Sequence, residues 1–111
     1  MKNFLQEGEI ITVTAPYALA SGDGALVGSI FGVATNAAVS GAAVELFVDS
    51  GVVILTAVTA DTGSVGTKIY WDNTAKKVTT TLTSNSLIGV LTVAKLGTDT
   101  TATVRLNGVS V

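Results

Sequence analysis

The 111-residue chain has six Lys and Arg against eight Asp and Glu, a net charge of −2, and no Cys or His. A single domain of this size buries roughly two thirds of its unfolded surface. The composition excludes disulfides, thiolate nucleophiles, Cys-containing zinc sites and histidine acid–base catalysis. The charge provides no long-range attraction to nucleic acid.

The residue types favour strands over helices. Thr and Val are frequent, and both are stiff at χ1 and prefer extended backbone. No window repeats apolar residues at helical spacing better than it alternates them. The longest apolar runs, such as residues 52–55, are far shorter than the ~20 residues that span a bilayer, so we expect no membrane association.

Residues 1–8 are predicted to form an extended N-terminal arm, and residues 9–111 a single β domain. Adjacent side chains of an extended backbone point to opposite faces, so either Phe4 or Leu5 needs a surface that the arm does not supply. The arm either folds back on its own domain or docks on a neighbouring subunit. The candidate residues for such a subunit contact are Lys2, Asn3, Phe4, Leu5 and Gln6.

The first half of the domain is predicted to contain four strands. The first, residues 9–14, ends before Pro16, and a tight turn follows at residues 21–24. Residues 25–34 are predicted as one strand, kinked at Gly28. Alternation in residues 42–48 places Val44 and Leu46 on one face, and residues 52–58, the most apolar strand, are expected at the centre of a sheet.

In the second half, residues 65–71, 78–82 and 87–91 are predicted to form an antiparallel meander, with Trp71 and Tyr70 in the core. Residues 92–95 extend its third strand, residues 102–106 form the last full strand, and Asn107-Gly108 favours a type I′ turn. Turn signals every 8–12 residues indicate a small antiparallel β-barrel or sandwich. The predicted fold class is therefore all-β.

Two glycine clusters resemble phosphate-binding motifs but do not match them. Gly22, Gly24 and Gly28 have the wrong spacing for a dinucleotide fingerprint, and no helix follows them. Residues 63–68 lack the Gly-Lys-Ser/Thr order of a P-loop, because Lys68 follows Thr67 and enters a strand. Both clusters are interpreted as turns.

Asp72-Asn73 lacks the spacing of a calcium-binding loop and is interpreted as an Asx turn. Lys76 and Lys77 are interpreted as a solvated tip of the same hairpin, since no aromatic residue of that loop could stack on a base. No catalytic, cofactor-binding or metal-binding residues are predicted.

Several blocks, taken in their order, resemble a family of small tailed-phage proteins that is often labelled "RecA/RadA family phage recombinase". The resemblance covers nearly the whole chain and implies a capsid cement or decoration protein, typically encoded near the major capsid protein. A RecA-type enzyme needs a phosphate-binding loop, a catalytic carboxylate and an α/β core that usually exceeds about 200 residues, none of which is present. The blocks are residues 11–17, 21–24, 27–28, 31–34, 65–72, 88–90 and 104–108.

The resemblance implies a non-enzymatic protein without cofactors that binds the outside of the phage head and stabilises its lattice. The implied partner is the major capsid protein. The expected assembly is a homotrimer, because capsid lattices present threefold sites. The implied location is the virion surface, after assembly from the host cytoplasm. The alternatives are a nucleic-acid accessory protein and a tail or spike subunit.

Overall fold

A computed structural model describes residues 10–48 and 51–107. This part of the chain forms nine strands and no helix, and therefore no helix that could cross a membrane. The all-β prediction is confirmed. The strands are β1 (Ile10–Thr14), β2 (Gly24–Val27), β3 (Ile30–Ala34), β4 (Ala43–Phe47), β5 (Val52–Thr56), β6 (Lys68–Asp72), β7 (Lys77–Thr79), β8 (Ser86–Leu91) and β9 (Thr101–Leu106).

The strands form two antiparallel sheets. The four-stranded sheet has the order β1-β4-β3-β2, and the five-stranded sheet has the order β5-β9-β8-β6-β7. A single parallel bridge joins Ala57 to Val78, and the Val58 amide donates a 3.0 Å hydrogen bond to the Val78 carbonyl. This bridge brings the two edges of the five-stranded sheet together at one end, so the sheet curls towards a barrel.

The region from Ala25 to Ala34 is a hairpin rather than the kinked strand that we predicted. β2 pairs antiparallel with β3, and Val27 lies opposite Ile30. Gly28 and Ser29 form the two-residue loop, with Gly28 at a φ of +60°. Glycine at the first loop position is typical of a type II′ turn, which matches the twist of the flanking strands.

The predicted meander is wrong in its strand order. β6 lies between β7 and β8 and pairs with both, so the second and third strands of the region do not pair. β7 ends at Thr79, and the Asp61 carboxylate accepts hydrogen bonds from the Thr79 hydroxyl at 2.6 Å and the Thr80 amide at 3.1 Å. Asp61 thus provides the hydrogen-bond partner of the Thr80 amide where the chain leaves the sheet, so the strand does not continue to Leu82.

β5 lies at the end of the five-stranded sheet, although its apolar sequence predicted a central strand. It pairs with β9 on one side, with Val52 opposite Arg105 and Ile54 opposite Thr103. Val52 is 60% exposed and Ile54 is 65% exposed. A strand that is apolar on both faces is usually buried on both, and β5 departs from that pattern.

The main core lies inside the five-stranded sheet and against one face of the four-stranded sheet. Trp71 is 2% exposed, which confirms its predicted place in the core, and Tyr70 is buried as well. The Trp71 ring packs 5.0 Å from the Phe31 ring, at an angle of 52°. A Cβ atom at Gly24 would lie 2.8 Å from Trp71, so glycine allows the two sheets to approach each other here.

The second face of the four-stranded sheet carries a smaller core. It contains Val44 and Leu46, as the alternation predicted, together with Leu19 and three alanines, Ala15, Ala25 and Ala34. Ile11 and Val13 pack against this cluster but remain partly exposed. The smaller core is therefore closed mainly by the loops that cross it.

Candidate functional site

The predicted contact residues Lys2, Asn3, Phe4, Leu5 and Gln6 lie outside the described residues, as does Gly108 of the predicted C-terminal turn. The described chain begins with β1 at Ile10, two positions after the last residue of the predicted arm. The arm therefore connects to an end strand of the four-stranded sheet. Its role as a contact remains a prediction.

The glycine clusters are turns, as the sequence indicated. Gly22 has a φ of +93° and Gly66 a φ of +92°, conformations that suit glycine and few other residues. Residues 63–67 lead into β6, and no helix end is available to bind a phosphate. The Asx turn is also confirmed, because the Asp72 carboxylate accepts hydrogen bonds from the amides of Thr74 and Ala75 at 2.9 and 3.1 Å.

The carboxylates of the described residues serve turns rather than a reaction centre. Within residues 10–48 and 51–107, no three His, Cys, Asp or Glu side chains gather into a group that could hold a metal ion. Asp23, Asp61, Asp72 and Asp99 each accept backbone hydrogen bonds in a turn or strand end. Glu45 is the exception, since it is exposed on β4 and its carboxylate makes no hydrogen bond or ion pair with another described residue.

A cleft of about 150 Å³ lies where the two sheets meet, lined in part by Tyr17, Gly24, Leu55, Trp71 and Lys76. The Lys76 ammonium sits 4.1 Å from the centre of the Tyr17 ring, a cation–π contact. Lys76 is therefore not the purely solvated residue that we predicted. The aromatic partner comes from the loop after β1, which the sequence of the hairpin could not reveal.

Hydrogen bonds hold the walls of this cleft in place. The Tyr17 hydroxyl donates to the Gly24 carbonyl at 2.8 Å, and the Trp71 indole donates to the Asn73 side chain at 3.0 Å. Burial raises the pKa of the Tyr17 phenol above its ordinary value of 10.0, and the nearby Asp23 charge adds to the increase. Each bond lies within one sheet, and the contact between Lys76 and the Tyr17 ring joins the two sheets across the cleft.

Lys95 is a buried cation that sequence analysis missed. Its side chain is 3% exposed, and its ammonium donates hydrogen bonds to the carbonyls of Thr59, Asp61 and Leu96 at 3.0, 2.7 and 3.2 Å. We predicted that residues 92–95 extend the preceding strand, but β8 ends at Leu91. Lys95 instead anchors the loop before β6, and its backbone also pairs with Gly63.

The outer face of the five-stranded sheet combines exposed apolar side chains with cations. Strand register places four residues side by side across β5, β9, β8 and β6, in the order Val52, Arg105, Val90 and Lys68. Ile54 lies on the same face, two residues along β5. Neither Arg105 nor Lys68 makes a side-chain hydrogen bond or ion pair within the described chain. We call these five residues the outer face.

The family model of phage cement proteins matches residues 5–106, which include all nine strands and both faces of each sheet. The chain belongs to the phage cement protein family. No curated protein and no solved structure matches the chain. Membership supports a structural role for this cement protein at the phage capsid.

For a phage cement protein, the surfaces that could contact other proteins are the relevant sites. The outer face is one such surface, because Val52 and Ile54 expose apolar area where an antiparallel sheet normally presents polar residues. Sequence alternation assigned residues to faces. It could not show that Arg105 and Lys68 flank Val90, because that requires the pairing of three strands.

Proposed function

We propose that this phage cement protein binds the outside of the head in many copies and stabilises the lattice of the major capsid protein. The observation that carries the proposal is the family match over residues 5–106. The fold supports it, since two packed antiparallel sheets form a compact framework that can present fixed surfaces to a repeating lattice. The protein acts without enzymatic activity, on the capsid surface, after its synthesis in the host cytoplasm.

The proposed assembly on the head is a homotrimer, and the proposed capsid contact is the arm, residues 2–8. A trimer matches the threefold sites of a capsid lattice and gives each subunit an equivalent contact. The arm precedes β1, which lies at the end of the four-stranded sheet and, among the described strands, pairs with β4 alone. An extended arm could continue along that edge and add a strand to a capsid subunit or a neighbour.

The first test is quantitative mass spectrometry of purified virions, comparing copies of this chain with copies of the major capsid protein. A ratio of the same order supports a head cement role. A handful of copies per virion points instead to a tail or spike part. Absence from virions, with the protein present in infected cells, would contradict the proposal and make DNA binding the next assay.

The second test removes residues 2–8 and measures binding to undecorated heads by co-sedimentation. Because β1 begins at Ile10, the truncated chain should keep its fold, which circular dichroism can verify. We expect binding to be lost. A full-length variant with Phe4→Ser and Leu5→Ser is the control, because it removes the apolar side chains of the arm without shortening it. Undiminished binding by the truncated protein would refute the role of the arm.

A further inference from the structure

We infer that the outer face binds the β1–β4 face around Glu45 on a second copy of this chain. The inference deepens the proposed function, on which it rests, by naming the two surfaces through which neighbouring copies join. Seven of the ten charged side chains in the described residues have a local partner, and three do not.

The partnered charges are used inside the fold. Four Asp side chains accept turn hydrogen bonds, Lys95 is enclosed by carbonyls, and Lys76 stacks on Tyr17. Lys77 lies opposite Asp72 across the β6–β7 hairpin. Of the Asp, Glu, Lys and Arg side chains in residues 10–48 and 51–107, Arg105, Lys68 and Glu45 remain without a charged neighbour across a strand pair or a side-chain bond.

The two unpaired cations share the outer face with three aliphatic side chains. Adjacent strands lie about 4.8 Å apart, so Arg105 and Lys68, two strands apart, are separated by about 10 Å at the backbone. Burying this face against a partner would remove the exposed parts of Val52 and Ile54 from water. The partner must supply negative charge, because buried unpaired cations would oppose binding.

This requirement excludes a contact between two outer faces. Such a pairing would place Arg105 and Lys68 of one copy near the same cations of the other, and like charges at an interface disfavour association. A second copy must therefore present a different surface, one that carries an acidic group and is flat enough to pack on a sheet.

The Glu45 face meets both conditions. Thr12 lies opposite Glu45 and Thr14 opposite Ala43, and all four side chains are exposed. Ile10 lies on the same face of β1 and is 43% exposed, which adds an apolar group to meet Val52 or Ile54. We call Ile10, Thr12, Thr14, Ala43 and Glu45 the Glu45 face. The Glu45 face is the uncovered end of the side of the four-stranded sheet that packs on the main core through Phe47. The side chains of Thr12, Thr14 and Ala43 are short, which suits a sheet-on-sheet contact at about 10 Å.

Pairing two different faces has a consequence for assembly. Each copy offers one outer face and one Glu45 face, so a ring can close with every contact satisfied, as a threefold assembly requires. The arm also leaves the domain next to Ile10, at the end of the Glu45 face. In such a ring, the arm of each copy begins beside its neighbour.

The experiment exchanges the two charges in the full-length chain and measures assembly by native mass spectrometry and light scattering over a dilution series. The variants are Arg105→Glu, Glu45→Arg and the double variant. We expect each single change to weaken assembly about tenfold or more, and the double variant to recover to within about threefold of the wild type. Lys77→Glu makes the same charge change outside both faces and should leave assembly intact.

The outcomes separate this inference from the proposed function. Weakening by Arg105→Glu with no effect of Glu45→Arg overturns it, and deletion of residues 2–8 would then show whether the arm supplies the acidic partner. Failure of the double variant to recover also overturns it. A wild-type chain that stays monomeric up to about 1 mM overturns it too. Binding of that monomer to heads would still support the cement role.

Discussion

The five-stranded sheet encloses large side chains, whereas the second face of the four-stranded sheet packs mostly small ones. Leu55, Ile69, Trp71, Ile88 and Leu91 are all buried in the main core. The smaller core has three alanines among its six buried members and a border of partly exposed residues. Since hydrophobic stabilisation grows with buried apolar area, the five-stranded sheet should contribute more to the stability of the domain.

The four-stranded sheet compensates with backbone hydrogen bonds between the loops that cover its second face. Leu19 and Ala38 exchange two such bonds at 2.8 and 2.9 Å, and Ala15 bonds to Ala42 and Gly41 at 2.8 and 3.0 Å. Loops held in this way open at lower free energy than a sealed core. The comparison implies that the five-stranded sheet, which carries the outer face, is more rigid than the four-stranded sheet, which carries Glu45 and follows the arm.

The largest expected effect is disruption of the five-stranded sheet by Gly89→Ala. A Cβ atom at Gly89 in β8 would lie 2.0 Å from the Arg105 carbonyl oxygen in β9, so two central strands would have to separate. We expect a loss of about 4 kcal/mol or more in the free energy of unfolding, or no folding at all. Urea denaturation followed by circular dichroism measures it.

Gly97→Ala is the matched control for this substitution. The nearest atom to a Cβ at Gly97 is 3.6 Å away, an ordinary van der Waals contact, and its φ is not positive. We expect a change within about 0.5 kcal/mol. Equal losses from the two glycine variants would contradict the close strand approach at Gly89.

The second prediction compares the two cores directly through Leu91→Ala and Leu46→Ala. Both leucines are buried, at 1% and 0% exposure, but Leu91 lies in the main core and Leu46 in the smaller one. The smaller core can relax into the space because its border is open. We expect losses of about 4–5 kcal/mol for Leu91→Ala and about 3 kcal/mol for Leu46→Ala, by urea denaturation.

A larger loss from Leu46→Ala than from Leu91→Ala would reverse the comparison. Amide hydrogen exchange of the wild type provides an independent check. Amides of β8 and β9 should exchange only on global unfolding, whereas those of the loops around Leu19 and Ala38 should exchange through smaller openings.

The third prediction tests the hydrogen bonds of the buried Lys95 ammonium, through the substitution Lys95→Met. Methionine retains the apolar stem but leaves the carbonyls of Thr59, Asp61 and Leu96 without the ammonium donor. We expect a loss of about 3 kcal/mol in the free energy of unfolding. The exposed Lys77→Met is the control and should change stability by less than about 0.5 kcal/mol. If Lys95→Met leaves the free energy of unfolding unchanged, water replaces the ammonium as the donor to these carbonyls.

Sequence alternation predicted the faces of strands whose two sides differ in polarity. Val44 and Leu46 are buried and Glu45 is exposed, as expected. Alternation failed for β5, because Val52 to Leu55 are apolar on both faces and the pattern cannot distinguish a central strand from one at an end. It also missed the hairpin at Gly28, where two apolar strands are joined by only two residues.

The functional surfaces were less predictable, because they depend on contacts between distant segments. The carbonyls of Thr59 and Asp61, which surround Lys95, lie 36 and 34 residues before it, and the ring under Lys76 belongs to Tyr17. Predicting that Arg105 and Lys68 lie in one row across the sheet requires the register of three strands. The family resemblance predicted the cement family without any of these contacts, while the predicted arm contact at residues 2–6 stays a prediction.

The smallest effect should come from Tyr17→Phe, which tests the cleft between the two sheets. Phenylalanine keeps the ring under Lys76 but loses the 2.8 Å hydrogen bond to the Gly24 carbonyl. We expect a loss of about 1 kcal/mol near pH 8, measured by urea denaturation. The comparison variant is Tyr70→Phe, because Tyr70 is buried and its hydroxyl does not bond to Gly24.

The pH dependence of the stability difference between the wild type and Tyr17→Phe tests whether the difference comes from the phenol group. Burial raises the pKa of Tyr17 in the folded chain above 10.0, so unfolding favours its deprotonation at alkaline pH. The stability from the neutral phenol is fully present below the unfolded pKa and is lost as pH rises through the folded pKa. The advantage of the wild type over Tyr17→Phe should therefore shrink between pH 8 and about pH 11. An advantage that stays constant over this range would contradict the raised pKa of the Tyr17 phenol and would leave the lost hydrogen bond to Gly24 as the source of the difference.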